Sequence, residues 1–114
     1  MSEALTLLLC NCPDPGTAER IGRMLVERRL AACVNLLAPS RSIYRWQGKI
    51  ETAEETPLLV KTSQARVAEV EAAIRESHSY ALPEILSLPA SALPDYLAWV
   101  EAETLPENRL PDGL

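Results

Sequence analysis

The sequence predicts one α+β domain in which two strand–helix–strand units share a single sheet. Short apolar runs of strand length alternate with two amphipathic segments of helical period along the chain. Gly48 separates two extended runs and marks a hairpin between them. The chain has 114 residues, of which 47% are apolar and 24% charged, and this suffices for one domain with its own core.

The first strand–helix–strand unit begins near the N-terminus. The apolar run Leu5–Cys12 fits a central strand that is buried on both faces. A helix is predicted over residues 17–30, with Asp14 as its N-cap and Pro15 at its first position. The next strand is predicted over residues 31–37.

A long, bent hairpin is predicted in the middle of the chain. The strand breaks at residues 38–40, because proline cannot serve a central ladder position, and it resumes at residues 43–46. Gly48 makes the tight reversal, and the return strand ends in the apolar run 58–62. Two of only five aromatic side chains lie at this hairpin tip, where they serve either cross-strand packing or a surface that the protein uses.

The second unit consists of a helix over residues 64–78, a loop over 78–84 and a short strand over 85–88. Right-handed crossovers place both long helices on one face of the sheet. The predicted order βαββαβ is therefore the split βαβ, or ferredoxin-like, arrangement.

A C-terminal helix, Pro94–Glu103, is added to this arrangement. Its predicted buried stripe consists of Leu93, Tyr96, Leu97 and Val100. The strands carry apolar residues at successive positions, so the second sheet face also needs cover, and this short helix cannot supply all of it. We therefore expect a partner subunit.

The domain is predicted to span residues 1–104, followed by a mobile tail over 105–114.

Charge and composition exclude several classes of partner. The net charge is −5 and no stretch is rich in Lys or Arg, which argues against nucleic acid. No apolar run is long enough to span a bilayer. Residues 1–4 lack a basic segment of the kind that opens a secretory signal, so we predict a cytoplasmic protein. Three cysteines, an odd number, argue against a disulfide framework.

No catalytic pattern is visible in the sequence. There is one histidine, and neither a Ser-His-Asp order nor a Gly-rich phosphate loop is found. The carboxylates Glu51, Glu54 and Glu55 are expected on a solvated turn region. We therefore predict that the protein is not an enzyme.

Five segments resemble, in order and spacing, those of CutA, the divalent-cation tolerance family. They are LAACVN at 30–35, SIYRWQGK at 42–49, VKT at 60–62, HSYALPE at 78–84 and DYLAW at 95–99. The resemblance implies a cytosolic homotrimer with a ferredoxin-like fold, linked to tolerance of copper and other divalent metals. It also implies an architecture similar to the PII signalling proteins, which bind small effectors in clefts between subunits.

The resemblance implies a metal site at Cys10 and His78, for copper or another divalent cation. Cys12 could add a third ligand, since residues two apart on a strand share a face, and Glu84 could add a carboxylate. The family's proline after this histidine is replaced by Ser79. The cysteines fit equally as small buried hydrophobes, and the histidine as a partner of the helix C-terminus. The remaining cysteine, at position 33, is predicted to pack in its strand.

A second candidate site is a cleft at a subunit interface. Two rings, an ammonium, a phenol and a carboxylate form a set suited to a small anionic or zwitterionic effector. The side chains are those of Tyr44, Trp46, Lys61, Tyr80 and Glu84. The alternative is that they hold the trimer together, with Trp46 packed on a neighbour and Lys61 paired with Glu84. A third hypothesis is that the trimer is a scaffold that anchors another protein.

Overall fold

The computed structural model describes residues 5–106, which form an α+β fold with an open antiparallel sheet and three helices. The strands are β1 (Leu5–Cys12), β2 (Cys33–Leu36), β3 (Ser40–Trp46), β4 (Lys49–Ser63) and β5 (Ile85–Ala90). The helices are α1 (Pro15–Glu27), α2 (Val67–Ser77), which follows a 3-10 turn at Gln64–Arg66, and α3 (Pro94–Glu103). The sheet order is β2-β4-β1-β5, with β3 paired to β4. The predicted mobile tail falls mainly on residues 107–114, which lie outside the described residues.

None of the helices between residues 5 and 106 is long and apolar enough to cross a membrane.

Helix α1 begins as the sequence predicts and ends earlier. The carboxylate of Asp14 accepts a hydrogen bond from the backbone N–H of Thr17 at 2.7 Å, which confirms the predicted N-cap. The predicted end at residue 30 is wrong, because Arg29 adopts φ 59° and turns the chain out of the helix. The N–H of Leu30 then returns to the carbonyl of Leu25 at 2.9 Å.

The Asp14 cap supplies a prediction for stability. Its hydrogen bond from Thr17 lowers the pKa of the Asp14 carboxyl, so the ionised form stabilises the fold above the unfolded-state pKa. We expect Asp14→Ala to lower the melting temperature at neutral pH more than Asp14→Asn, which keeps an acceptor at the cap. The difference between wild type and Asp14→Asn should vanish as the pH falls through the folded-state pKa. Melting curves from neutral to acid pH measure this, and a constant difference would contradict it.

The bent hairpin of the sequence prediction is confirmed. The second half of β4 pairs with β1 and β2, while its first half pairs with β3 beyond the break at residues 37–39. The strands reverse at Gln47 and Gly48, whose φ angles of 51° and 83° are those of a two-residue hairpin turn. This hairpin extends the molecule to 53 Å, against 24 Å and 22 Å in the other directions.

The two faces of the sheet differ in how well one chain covers them. Against α1 and α2, the side chains of Leu8, Leu58 and Val60 are completely buried. On the other face, Leu7 lies opposite Leu88 and Leu9 opposite Leu86 in the pairing of β1 with β5. Both β5 leucines are 51% exposed. A single chain therefore leaves an apolar sheet face uncovered, as the sequence predicts.

Helix α3 covers only one end of this open face. Val100 is completely buried, and the Thr104 hydroxyl donates a hydrogen bond to Oγ of Ser63 at 3.0 Å. The predicted burial of Leu93 and Tyr96 is wrong for the single chain, since they are 74% and 36% exposed, while Leu97 is half-buried.

Candidate metal centre and the adjacent cavity

Cys10, Cys12 and His78 form a buried cluster at the end of β1. The two cysteines are completely buried on the helix-facing side of the strand, two residues apart. His78 caps the C-terminus of α2 and is 9% exposed. The ligand atoms of all three lie within 4.8 Å of one another. The fold thus brings together residues 66 and more positions apart in sequence, and the carboxylate of Glu84 is not part of this group.

Both ring nitrogens of the His78 imidazole take part in hydrogen bonds. Its Nε2 lies 2.7 Å from the carbonyl oxygen of Asn11, and its Nδ1 accepts the backbone N–H of Tyr80 at 3.2 Å. A carbonyl only accepts, so Nε2 carries the proton and the ring is the neutral tautomer. The ring also packs on that of Tyr80, with centroids 4.7 Å apart. A metal ion at His78 must therefore displace one of these two hydrogen bonds.

The pKa values of the two thiols are shifted in opposite directions. The pKa of Cys10 is raised far above its usual range, first because its S–H is hydrogen-bonded to Cys12 and then because it is buried. The pKa of Cys12 is lowered, since its sulfur is stabilised as a thiolate by the same hydrogen bond. Of the two thiols, Cys12 therefore loses its proton first, and Cys10 keeps its proton until a cation replaces it.

The donor set fits a thiophilic metal ion. Thiolate and imidazole bind zinc at about 2.3 Å and 2.0–2.1 Å, which puts the donors of a tetrahedral site about 3.5 Å apart. The three ligand atoms, within 4.8 Å of one another, need only a modest contraction to reach that spacing. Two sulfurs and one nitrogen favour copper or zinc over the hard ions magnesium and calcium.

A cavity of about 760 Å³ lies next to this cluster, between the β3–β4 hairpin and the loop that follows α2. Its walls include the rings of Tyr44, Trp46 and Tyr80 and the carboxylates of Glu55 and Glu84. The hydroxyl of Tyr80 donates a hydrogen bond to Oε2 of Glu55 at 2.9 Å. Burial, followed by this contact with Glu55, raises the pKa of Tyr80 above its usual range.

Four of the five residues predicted for an interface cleft line this cavity. They are Tyr44, Trp46, Tyr80 and Glu84. The fifth, Lys61, is not among the lining residues. It lies in the sheet itself, opposite Leu7 of β1 and Cys33 of β2. The lining therefore contains no ammonium group from the described residues.

Two residues of this region are missed by the sequence reasoning. Glu55, expected on a solvated turn, is 9% exposed because the loop after α2 folds over it. No local pattern signals this contact, since Tyr80 is 25 residues away. Asn11 joins the two sites, because its carbonyl contacts His78 while its amide donates to Oε1 of Glu84 at 3.1 Å. The signal for Asn11 is its polarity within the apolar run of β1.

Comparisons with known proteins by family model, by sequence and by structure all point to the same family. The model of the family described as "CutA1 divalent ion tolerance protein" matches residues 6–103. The divalent-cation tolerance protein CutA of Pectobacterium atrosepticum is 40% identical over 97 residues, which are 84% of this chain and 88% of that protein. The crystal structure of CutA from Xylella fastidiosa has a TM-score of 0.86 and 44% identity over 89% of this chain and 98% of its own. The structure of the periplasmic divalent cation tolerance protein CutA from Archaeoglobus fulgidus also gives 0.86, with 36% identity over 89% and 99%.

Proposed function

Because the chain belongs to the CutA1 divalent ion tolerance family, we propose that it binds copper or another thiophilic cation through Cys10, Cys12 and His78. The observation that carries this proposal is the grouping of three buried soft donors within 4.8 Å. Such donors select copper or zinc from the hard cations of the cell. The protein then acts by holding the ion, and we propose a binding role rather than a catalytic one.

Each residue has a separate task in this site. Cys12 supplies the first thiolate, which its hydrogen bond from Cys10 makes available. Cys10 supplies the second, at the expense of a proton. His78 contributes an imidazole nitrogen after it leaves Asn11 or Tyr80. The bound ion supplies the positive charge that makes two adjacent thiolates stable in a buried place.

The test is isothermal titration of metal-free protein with Zn²⁺, which carries no redox chemistry, and with Cu⁺ under anaerobic conditions. We expect one ion per chain for wild type, and a loss of affinity of 100-fold or more, about 3 kcal/mol, in Cys10→Ala/Cys12→Ala. The matched control is Cys33→Ala, which removes the thiol outside the cluster and should bind as wild type does. Equal affinity in the double variant and in the control would end the proposal.

The same titration has an expected pH dependence. Since the raised pKa of Cys10 keeps its thiol protonated at neutral pH, ligation must release that proton. Affinity should therefore increase with pH, and buffers of different ionisation enthalpy should report net proton release. Circular dichroism of each variant establishes that it is folded. Binding without proton release would show that Cys10 is not a ligand.

We further propose a homotrimer with ferredoxin-like subunits in the cytoplasm. The strand order β2-β4-β1-β5 supports the fold, and the uncovered leucines of β1 and β5 support self-association. Three free cysteines fit a reducing compartment. The number three comes from the resemblance to CutA, and sedimentation of the purified protein tests it.

The cavity favours a second candidate function, a small-molecule sensor or an anchoring scaffold with PII-like clefts between subunits. Supporting it are three aromatic rings and two carboxylates around one space of about 760 Å³. A change of melting temperature with one compound of a metabolite panel would favour the sensor. No change with any compound would leave these residues as part of the subunit interface.

A further inference from the structure

The cavity beside the metal cluster has a distinctive charge. Two carboxylates, Glu55 and Glu84, line it, and no lining residue in the described part of the chain is Lys or Arg. The ion pairs found between residues 5 and 106 do not include either glutamate. Within one chain, the cavity is therefore lined by two carboxylates that are not paired with a Lys or Arg of the described residues.

Of the two glutamates, Glu55 gives the stronger evidence for a cationic ligand. It is nine-tenths buried, and its Oε2 accepts the hydroxyl of Tyr80 at 2.9 Å. A hydroxyl is a neutral partner, so this contact does not balance the charge of an ionised carboxylate. Buried carboxylates are normally paired with a cation. Since the cavity opens onto Glu55, the missing cation can come from a ligand.

The cavity also has aromatic walls. Tyr44 and Trp46 project from β3 and Tyr80 from the loop after α2. In the single chain Tyr44 and Trp46 are 40% and 39% exposed. The negative face of an aromatic ring attracts organic cations, and tryptophan does so most strongly. Aromatic walls and carboxylates together select a positively charged ligand with an aliphatic body.

We propose that this cavity binds a small aliphatic ammonium ion, with Glu55 and Glu84 as its charge partners and Tyr44, Trp46 and Tyr80 as its walls. The inference rests on the second candidate function, a small-molecule cleft, and it replaces the anionic or zwitterionic effector expected from the sequence with a cationic one. The anionic expectation depended on Lys61, which is not part of the lining. The volume of about 760 Å³ accommodates a ligand of this class and its water.

The experiment compares three probes with the same four-carbon skeleton on metal-free wild-type protein by isothermal titration. They are 1,4-diaminobutane, 1,4-butanediol and succinate, which are cationic, neutral and anionic at pH 7. We expect saturable binding of the diamine and none of the diol or succinate. Glu55→Gln should weaken diamine binding about tenfold or more, while Glu54→Gln should not change it. Glu54 is the matched control, being exposed and adjacent on the same strand.

Three further variants keep the test decisive. If Glu55→Gln fails to fold, Glu84→Gln and the exposed Trp46→Leu replace it, with the same expected loss. Cys10→Ala/Cys12→Ala should bind the diamine as wild type does, which separates this site from the metal cluster. Failure of the diamine to bind, or equal affinity in the Glu55 or Glu84 and control variants, overturns the proposal. Binding of succinate or of the diol instead overturns it while the small-molecule cleft stands, whereas binding of no probe overturns it and leaves the cleft itself to the metabolite panel.

Discussion

We expect lysine in place of Leu88 to dissociate the proposed homotrimer into single chains. Leu88 lies on β5 opposite Leu7, on the sheet face that one chain leaves uncovered, and half of its surface is exposed. In the proposed homotrimer this face is buried against neighbouring copies. An ammonium group there would be removed from water without a partner, at a cost of several kcal/mol per chain. Sedimentation velocity at micromolar concentration measures the change.

The matched control for this substitution is Val26→Lys. Val26 is an aliphatic residue of α1 that is 43% exposed on the helix side of the sheet. Val26→Lys makes the same change from an apolar to a charged side chain away from the open face. It should therefore leave the proposed homotrimer intact. An unchanged sedimentation coefficient for Leu88→Lys would show that the open face is not where the copies meet. A wild-type protein that is already a single chain would remove the proposal of a trimer altogether.

Alanine in place of Leu8 will cost about 2–5 kcal/mol of folding free energy. Leu8 occupies the centre of β1, pairs with Val60 and is completely buried beneath the helices. Its removal leaves a space that the surrounding β-sheet and helices cannot close. For a domain of this size, that loss lowers the melting temperature by roughly 10–20 °C. Chemical denaturation at fixed protein concentration measures the free energy.

Leu82→Ala is the control for this second substitution, because Leu82 is 68% exposed and the change should cost under about 0.5 kcal/mol. The two leucine predictions also differ in their dependence on concentration. The effect of Leu88→Lys acts through assembly and weakens with increasing protein concentration, whereas that of Leu8→Ala does not. A loss below about 1 kcal/mol for Leu8→Ala would show that the helices do not pack tightly on β1.

Most of the fold follows from patterns that are local in the chain. The cap at Asp14, the hairpin turn at Gly48 and the bounds of α3 are all as the sequence predicts. Each depends on one residue whose backbone preference or hydrogen bond acts within a few positions. The end of α1 is different, since Arg29 takes a left-handed conformation that its residue type does not signal.

The candidate sites follow from the sequence only in part. The pairing of Cys10 with Cys12 is predictable, because alternation along a strand puts both on one face. The approach of His78 to them depends on how α2 crosses β1, and its hydrogen bonds to Asn11 and Tyr80 have no sequence pattern. Here the resemblance to CutA supplied the expectation, and the tertiary structure supplied the contacts.

By itself, the sequence determined the order of strands and helices along the chain, the acidic charge, the alternating faces of β1 and the presence of an apolar sheet face that one chain does not cover. These properties come from periodicity and composition, which the chain carries without folding. Only the tertiary structure decided that Glu55 is buried beneath Tyr80 and that Lys61 is not among the residues lining the cavity. Such outcomes depend on the packing of segments far apart in the chain, where distance and burial, rather than residue type, fix which charges meet.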